Sequence, residues 1–146
     1  MRVRSIALFA AAVLLSTACR HSGSATADFY PGPAGRPFSS GVRVGNMLYL
    51  SGQIGTGADG NVVGGGITTE TRQALTNIAT VLQQHGSSMD RVVKCTVMLA
   101  DMREWDAMNT VYVAFFPNHK PARSSFGTSG LALGARVEIE CAATVD

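Results

Sequence analysis

Val137-Glu138-Ile139-Glu140-Cys141 alternates apolar and acidic side chains without a break, and this two-residue period constrains the chain more than any other feature. An extended strand puts Val137, Ile139 and Cys141 on one face and Glu138 and Glu140 on the other. The same period runs through residues 91–99 and predicts a second strand with Val93, Cys95, Val97 and Leu99 on its buried side. Two strands with one apolar face each need something to cover them. Two stretches of helical period supply it. Residues 68–85 carry Ala74, Leu75, Ile78, Ala79 and Leu82 as a stripe, with threonines and Glu70 at the start and Gly86 as a left-handed stop. Trp105, Met108, Tyr112 and Phe115 form the second stripe, read as an aromatic core face, behind an Asp101-x-x-Glu104 capping box.

Upstream, residues 38–44 and 47–51 read as short strands joined by Gly45-Asn46, a dipeptide suited to the positive φ angles of a tight hairpin. Glycines 55, 57, 60 and 64–66 make a loop around a short Val62-Val63 strand. They fit no strand–GxxxxGK–helix pattern, so phosphate cradling is set aside. The order is strands, helix, strand, helix, two strands. This predicts an α+β fold with both helices on one face of a mixed sheet.

Before the final strand stands Pro121-Ala122-Arg123-Ser124-Ser125-Phe126. A guanidinium entering one strand and a carboxylate on the next, Arg123 and Glu138, can meet across a hairpin. They then either neutralise each other or offer a carboxylate-binding fork beside a base for water.

The N-terminus reads as an address. Met1-Arg2-Val3-Arg4 is basic, and the apolar run from Ile6 to Leu15 is shorter than the roughly twenty residues of a bilayer span. Residues 1–18 are expected to be a signal peptide. Leu15-Ser16-Thr17-Ala18-Cys19 is similar to a lipobox, which would place a lipid anchor on Cys19; Ala25-Thr26-Ala27 offers cleavage to a soluble form instead. Either route leads to the periplasm or cell envelope, with membrane contact only through Cys19. Residues 19–36, rich in small residues and proline, are expected to be a flexible linker, and residues 37–146 the folded domain. Removing residues 1–18 takes two arginines from the twelve basic residues, leaving ten against ten acidic. A neutral domain without a basic run gives no reason to expect nucleic acid. Cys95 and Cys141 are expected as free core thiols, although an oxidising compartment permits a disulfide between them. Three cysteines and three scattered histidines show no metal-ligand spacing.

Pro121-Ala122-Arg123-Ser124 with Phe126, Ser129, Leu131 and Val137-Glu138-Ile139 resembles the C-terminal signature of the RidA/YjgF/UK114 family, and the likeness extends from about Arg36 to Ala143. The resemblance implies a chorismate-mutase-like fold assembled as a homotrimer around a central barrel, with a cleft between subunits. It implies that Arg123 binds a substrate carboxylate and that Glu138 activates water. Phe38, Ser51, Gly52, Asn109 and Ser125 would line the substrate site. The reaction implied is hydrolysis of a 2-imino acid, or its enamine tautomer, to a 2-keto acid and ammonia, with no cofactor and no metal. Phe38 stands where deaminating members carry a tyrosine, and Gly127-Thr128-Ser129-Gly130 replaces bulkier residues. Two alternatives remain: a non-catalytic or chaperone-like member that binds small carboxylates, and, less favoured by the neutral charge, a ribonuclease.

Overall fold

The computed structural model describes residues 26–146. The signal segment and Cys19 therefore lie outside the described residues. One seven-stranded sheet carries two helices on one face. Its strands are β1 (Ala27–Pro31), β2 (Ser39–Val44), β3 (Met47–Leu50), β4 (Gln53–Ile54), β5 (Val92–Leu99), β6 (Ala122–Gly127) and β7 (Val137–Thr144). The helices are α1 (Gly66–Gln84), between β4 and β5, and α2 (Trp105–Ala114), between β5 and β6.

The sheet order is β1-β2-β3-β7-β5-β6, with β4 paired to β7 beyond the end of β3. Only β5 and β6 run parallel; the other pairs are antiparallel. The expected α+β architecture is what forms. Ala74, Leu75, Ile78 and Leu82 of α1 are buried against Val97, Leu99, Val137 and Ile139. The helical stripe and the strand alternation thus meet in one core.

Several local expectations are corrected. Residues 27–31 are not linker: they form β1, an added edge strand paired to β2. Val93 faces outward, because a register shift at residues 92–94 turns Val92 into the core instead. Val62-Val63 makes only an isolated bridge, from Val62 to Thr56. The Gly45-Asn46 turn forms, but only Gly45 takes positive φ. Helix α1 begins at Gly66 behind Gly65, without a threonine cap, and Glu70 is buried, accepting from the Arg136 amide. Asp101 does cap, taking the Arg103 amide, but Glu104 pairs with Arg136 rather than returning to Asp101. On α2 the fully buried ring beyond Tyr112 is Phe116, with Phe115 half-exposed.

Cys95 and Cys141 are not free thiols. They stand directly opposite each other on β5 and β7, with Cα atoms 4.1 Å apart, and are disulfide-bonded. The alternation that put both on the apolar face also put them in register, and separate readings of the two strands did not carry that pairing.

Candidate active site

Arg123 and Glu138 do not face each other across a hairpin. Strand β5 lies between β6 and β7, so the final two strands are not neighbours. Arg123 is level with Cys95 and Glu138 with Met98, three residues along β5. Two strand spacings and three residue rises separate their Cα atoms by about 14 Å. They also lie on opposite faces: Arg123 shares the helix side with Cys95, whereas Glu138 alternates out of the core between Val137 and Ile139. One chain therefore carries two separate groups of site residues.

The first group surrounds Glu138. β7 delivers this carboxylate to a hollow of about 490 Å³ bordered by Phe38, Gly52, Gln53, Ile54, His85 and Leu133 among others. The carboxylate is half-buried, and desolvation, with the Glu140 charge as a smaller cause, raises its pKa above the ordinary value. Gly52 is what lets it lie there. A Cβ on Gly52 would collide with Glu138 Oε1 and stand 2.9 Å from its Cδ. Ser51 holds the neighbouring backbone: its Oγ donates to the Ser39 carbonyl at 2.7 Å, and its amide to the Ser40 carbonyl at 3.1 Å. Phe38 borders the same hollow, 47% exposed.

The second group surrounds Arg123. Its guanidinium lies 4.5 Å from the centre of the Tyr112 ring and 5.6 Å from that of Trp105, and Nη1 donates to Asn109 Oδ1 at 2.8 Å. Trp105, Asn109 and Tyr112 are spaced four and three apart, so one face of α2 provides the whole cradle. Burial pushes the Tyr112 phenol up to about 12 against a smaller opposing pull from Arg123. Ser125 lies two residues along β6, on the Arg123 side, and its buried Oγ has no hydrogen-bond partner among the described residues; nor has the Tyr112 hydroxyl. A planar cation with donors to spare, beside unpartnered hydroxyls, suits a bidentate carboxylate.

The sequence reading thus named residues of both groups but not their supports. The α2 stripe is core at Met108 and Tyr112, yet Trp105 and Tyr112 also form a platform for Arg123. The i, i+4, i+7 spacing of Trp105, Asn109 and Tyr112 was the available signal. His85, Tyr30 and Leu133 had none, since residues 19–36 read as linker and Leu133 lies outside every predicted element. Among the described residues no three His, Cys, Asp or Glu side chains are grouped to hold a metal ion, and no helix is long and apolar enough to cross a membrane.

Residues 31–145 match the family model of endoribonuclease L-PSP. The chain belongs to this family, the RidA/YjgF family. The 2-iminobutanoate/2-iminopropanoate deaminase of Capra hircus is 44% identical over 108 residues, 73% of this chain and 79% of that protein. The human protein of the same name is 40% identical over 114 residues, 77% and 82% of the two chains. Among solved structures, yeast Mmf1 superposes with a TM-score of 0.77 at 35% identity, covering 83% of this chain and all of that one. Escherichia coli TdcF with bound serine gives 0.72 at 30% identity, covering 80% and 94%.

Proposed function

We propose that the chain is a RidA-type deaminase that hydrolyses 2-imino acids, or their enamine tautomers, to 2-keto acids and ammonia. The observation that carries this reading is the division of the site. A carboxylate-binding group around Arg123 and a water-activating group around Glu138 sit about 14 Å apart on opposite faces of one sheet. A substrate reaches both only where a second copy brings its own group alongside, as in a trimer with clefts between subunits. The deaminase relatives and the serine-bound TdcF support an amino-acid-sized ligand for such a cleft.

In the mechanism, the Arg123 fork holds the substrate carboxylate, with Asn109 and the Trp105–Tyr112 platform fixing the guanidinium. Glu138 accepts a proton from water as the oxygen bonds to the C=N carbon, and the π electrons move to nitrogen, which is protonated. The carbinolamine nitrogen then takes the proton held by Glu138 and leaves as ammonia, while the hydroxyl releases its proton to solvent as the carbonyl forms. Desolvation of Glu138 raises its basicity, which helps the first step. Decay of an imino acid generated by an amino-acid oxidase, followed by semicarbazide trapping, tests the assignment. Wild type accelerates decay and Arg123→Ala does not; equal rates would refute it.

Phe38 favours a second reading, a carboxylate binder without turnover. Its ring borders the Glu138 hollow without a hydroxyl to donate. Arg123-dependent thermal stabilisation by a keto acid, without imine decay, selects that reading.

The site of action proposed is the periplasm or cell envelope, with Cys19 as the lipid-bearing residue. The Cys95–Cys141 disulfide supports it, since such bonds persist in oxidising compartments. Mass determination of the protein from membrane and soluble fractions distinguishes an acylated Cys19 from cleavage near residue 27.

A further inference from the structure

We infer that the hollow at Glu138 continues into a compartment for an aromatic side chain, so that the substrates are aromatic 2-imino acids; this rests on the deaminase reading above. Size is the first ground. The hollow measures about 490 Å³. A three-carbon imino acid takes the liquid volume of roughly four waters, about 120 Å³. The hollow of one chain is therefore several times larger than such a substrate, before a second copy closes its open side.

The walls are the second ground. Phe38, Ile54, Val81 and Leu133 border the hollow, and Leu133 and Phe38 are 60% and 47% exposed although the domain has a complete core elsewhere. Leu133 is also the sole non-glycine residue at positive φ among the described residues, at φ 55. Left-handed backbone at a branched apolar residue is unfavourable and persists where the surroundings impose it, commonly at ligand sites.

The third ground is a rigid ring held at the hollow's edge. Tyr30 stacks on His85 with centroids 4.0 Å apart and planes 11° from parallel, and His85 borders the hollow. A bulge makes this arrangement. Tyr30 pairs with Gly41 and Pro31 with Ser39, which leaves Ser40 unpaired between them, with its Oγ 3.3 Å from His85 Nε2. Flat rings and apolar walls favour an aromatic group in offset or edge contact. Arg36 also borders the hollow, but it is exposed, where salt screens its pull on an anionic side chain.

The test compares imines generated from phenylalanine, alanine and glutamate, by semicarbazide trapping, with the mature protein. The expected result is a kcat/KM at least about tenfold higher for the phenylalanine-derived imine than for the alanine-derived one. In Leu133→Gly, which suits the left-handed backbone, and in His85→Ala, that ratio falls towards one. A wild-type ratio of one or below overturns the inference, as does a glutamate-derived imine being fastest. Binding of phenylpyruvate and pyruvate, which need no turnover, separates the two readings. Tighter phenylpyruvate binding without any imine decay leaves the compartment standing and ends the deaminase reading. Imine decay with no preference for phenylpyruvate does the reverse.

Discussion

The Glu138 carboxylate occupies the space that a side chain on Gly52 would need. A Cβ built on Gly52 would collide with Oε1 and stand 2.9 Å from Cδ. Gly52 follows β3 and directly precedes β4, whose two residues pair with Ile139 and Glu138 of β7. The backbone is thereby pinned against the acid, and a clash between them can be relieved only by movement of the Glu138 side chain.

Gly52→Ala therefore displaces Glu138 rather than merely crowding it. Imine hydrolysis is expected to fall by about a hundredfold, the scale of a misplaced reacting group. Stability should change little, because the atoms displaced are the end of a half-exposed side chain. Steady-state kinetics and urea denaturation separate the two effects; a fully active variant would mean that Gly52 does not set the position of Glu138.

Glu138 is raised in pKa by desolvation, and this sets signs for both activity and stability. In its proposed role of base it works deprotonated, so kcat/KM should rise with pH through an inflection above the ordinary carboxylate value. For stability the folded protein holds the proton more tightly than the unfolded chain. Between the unfolded and folded pKa values the folded state therefore binds more protons, and stability declines as pH rises through that window. Glu138→Gln removes this penalty. It should lower activity by about 10²–10⁴-fold yet melt higher than wild type at pH 7, with the melting difference shrinking as pH falls below the window. Thermal melts at a series of pH values give the result.

The Cys95–Cys141 bond joins adjacent strands across a sequence separation of 46 residues. Closing a loop of that length restricts the unfolded chain, and a double Cys→Ser variant is expected to lose about 2–4 kcal/mol. For a domain of this size that lowers Tm by roughly 10 °C. Both sulfurs sit in the buried core, so the folded protein should resist reductant until it is partly denatured. Calorimetry of wild type and the double variant, with and without dithiothreitol, checks each part.

What the sequence carried was the period of each element, and what it lacked was how elements meet. Val137-Glu138-Ile139 declared its faces, and the α1 stripe declared its buried side, because period and burial are local. Arg123 and Glu138 were legible as individuals through a spaced signature, but not as members of separate groups, because only the insertion of β5 between their strands divides them. The disulfide depended on the same cross-strand register. Val93 was misplaced by one bulge and Ser40 is re-aimed by another, and a bulge leaves no periodic trace. β1 was hidden by composition: Phe29-Tyr30 lies among alanine, proline and glycine, and pairing to β2 rather than its own pattern makes it a strand.

The division of the site gives the most direct prediction. If each reaction centre joins Arg123 of one copy to Glu138 of another, then Arg123→Ala and Glu138→Gln preparations are each inactive when pure. Unfolded together at equal amounts and refolded, they assemble at random. A centre is intact when its Glu138 comes from the Arg123→Ala chain and its Arg123 from the Glu138→Gln chain. Each choice has even odds, so about a quarter of centres, and about a quarter of wild-type activity, should return. A double variant carrying both substitutions, mixed with wild type, provides the control: it can only dilute intact centres. Mixed single variants that stay inactive, in assemblies shown by native mass spectrometry to be heteromeric, would place both groups in the service of one chain and overturn the shared cleft.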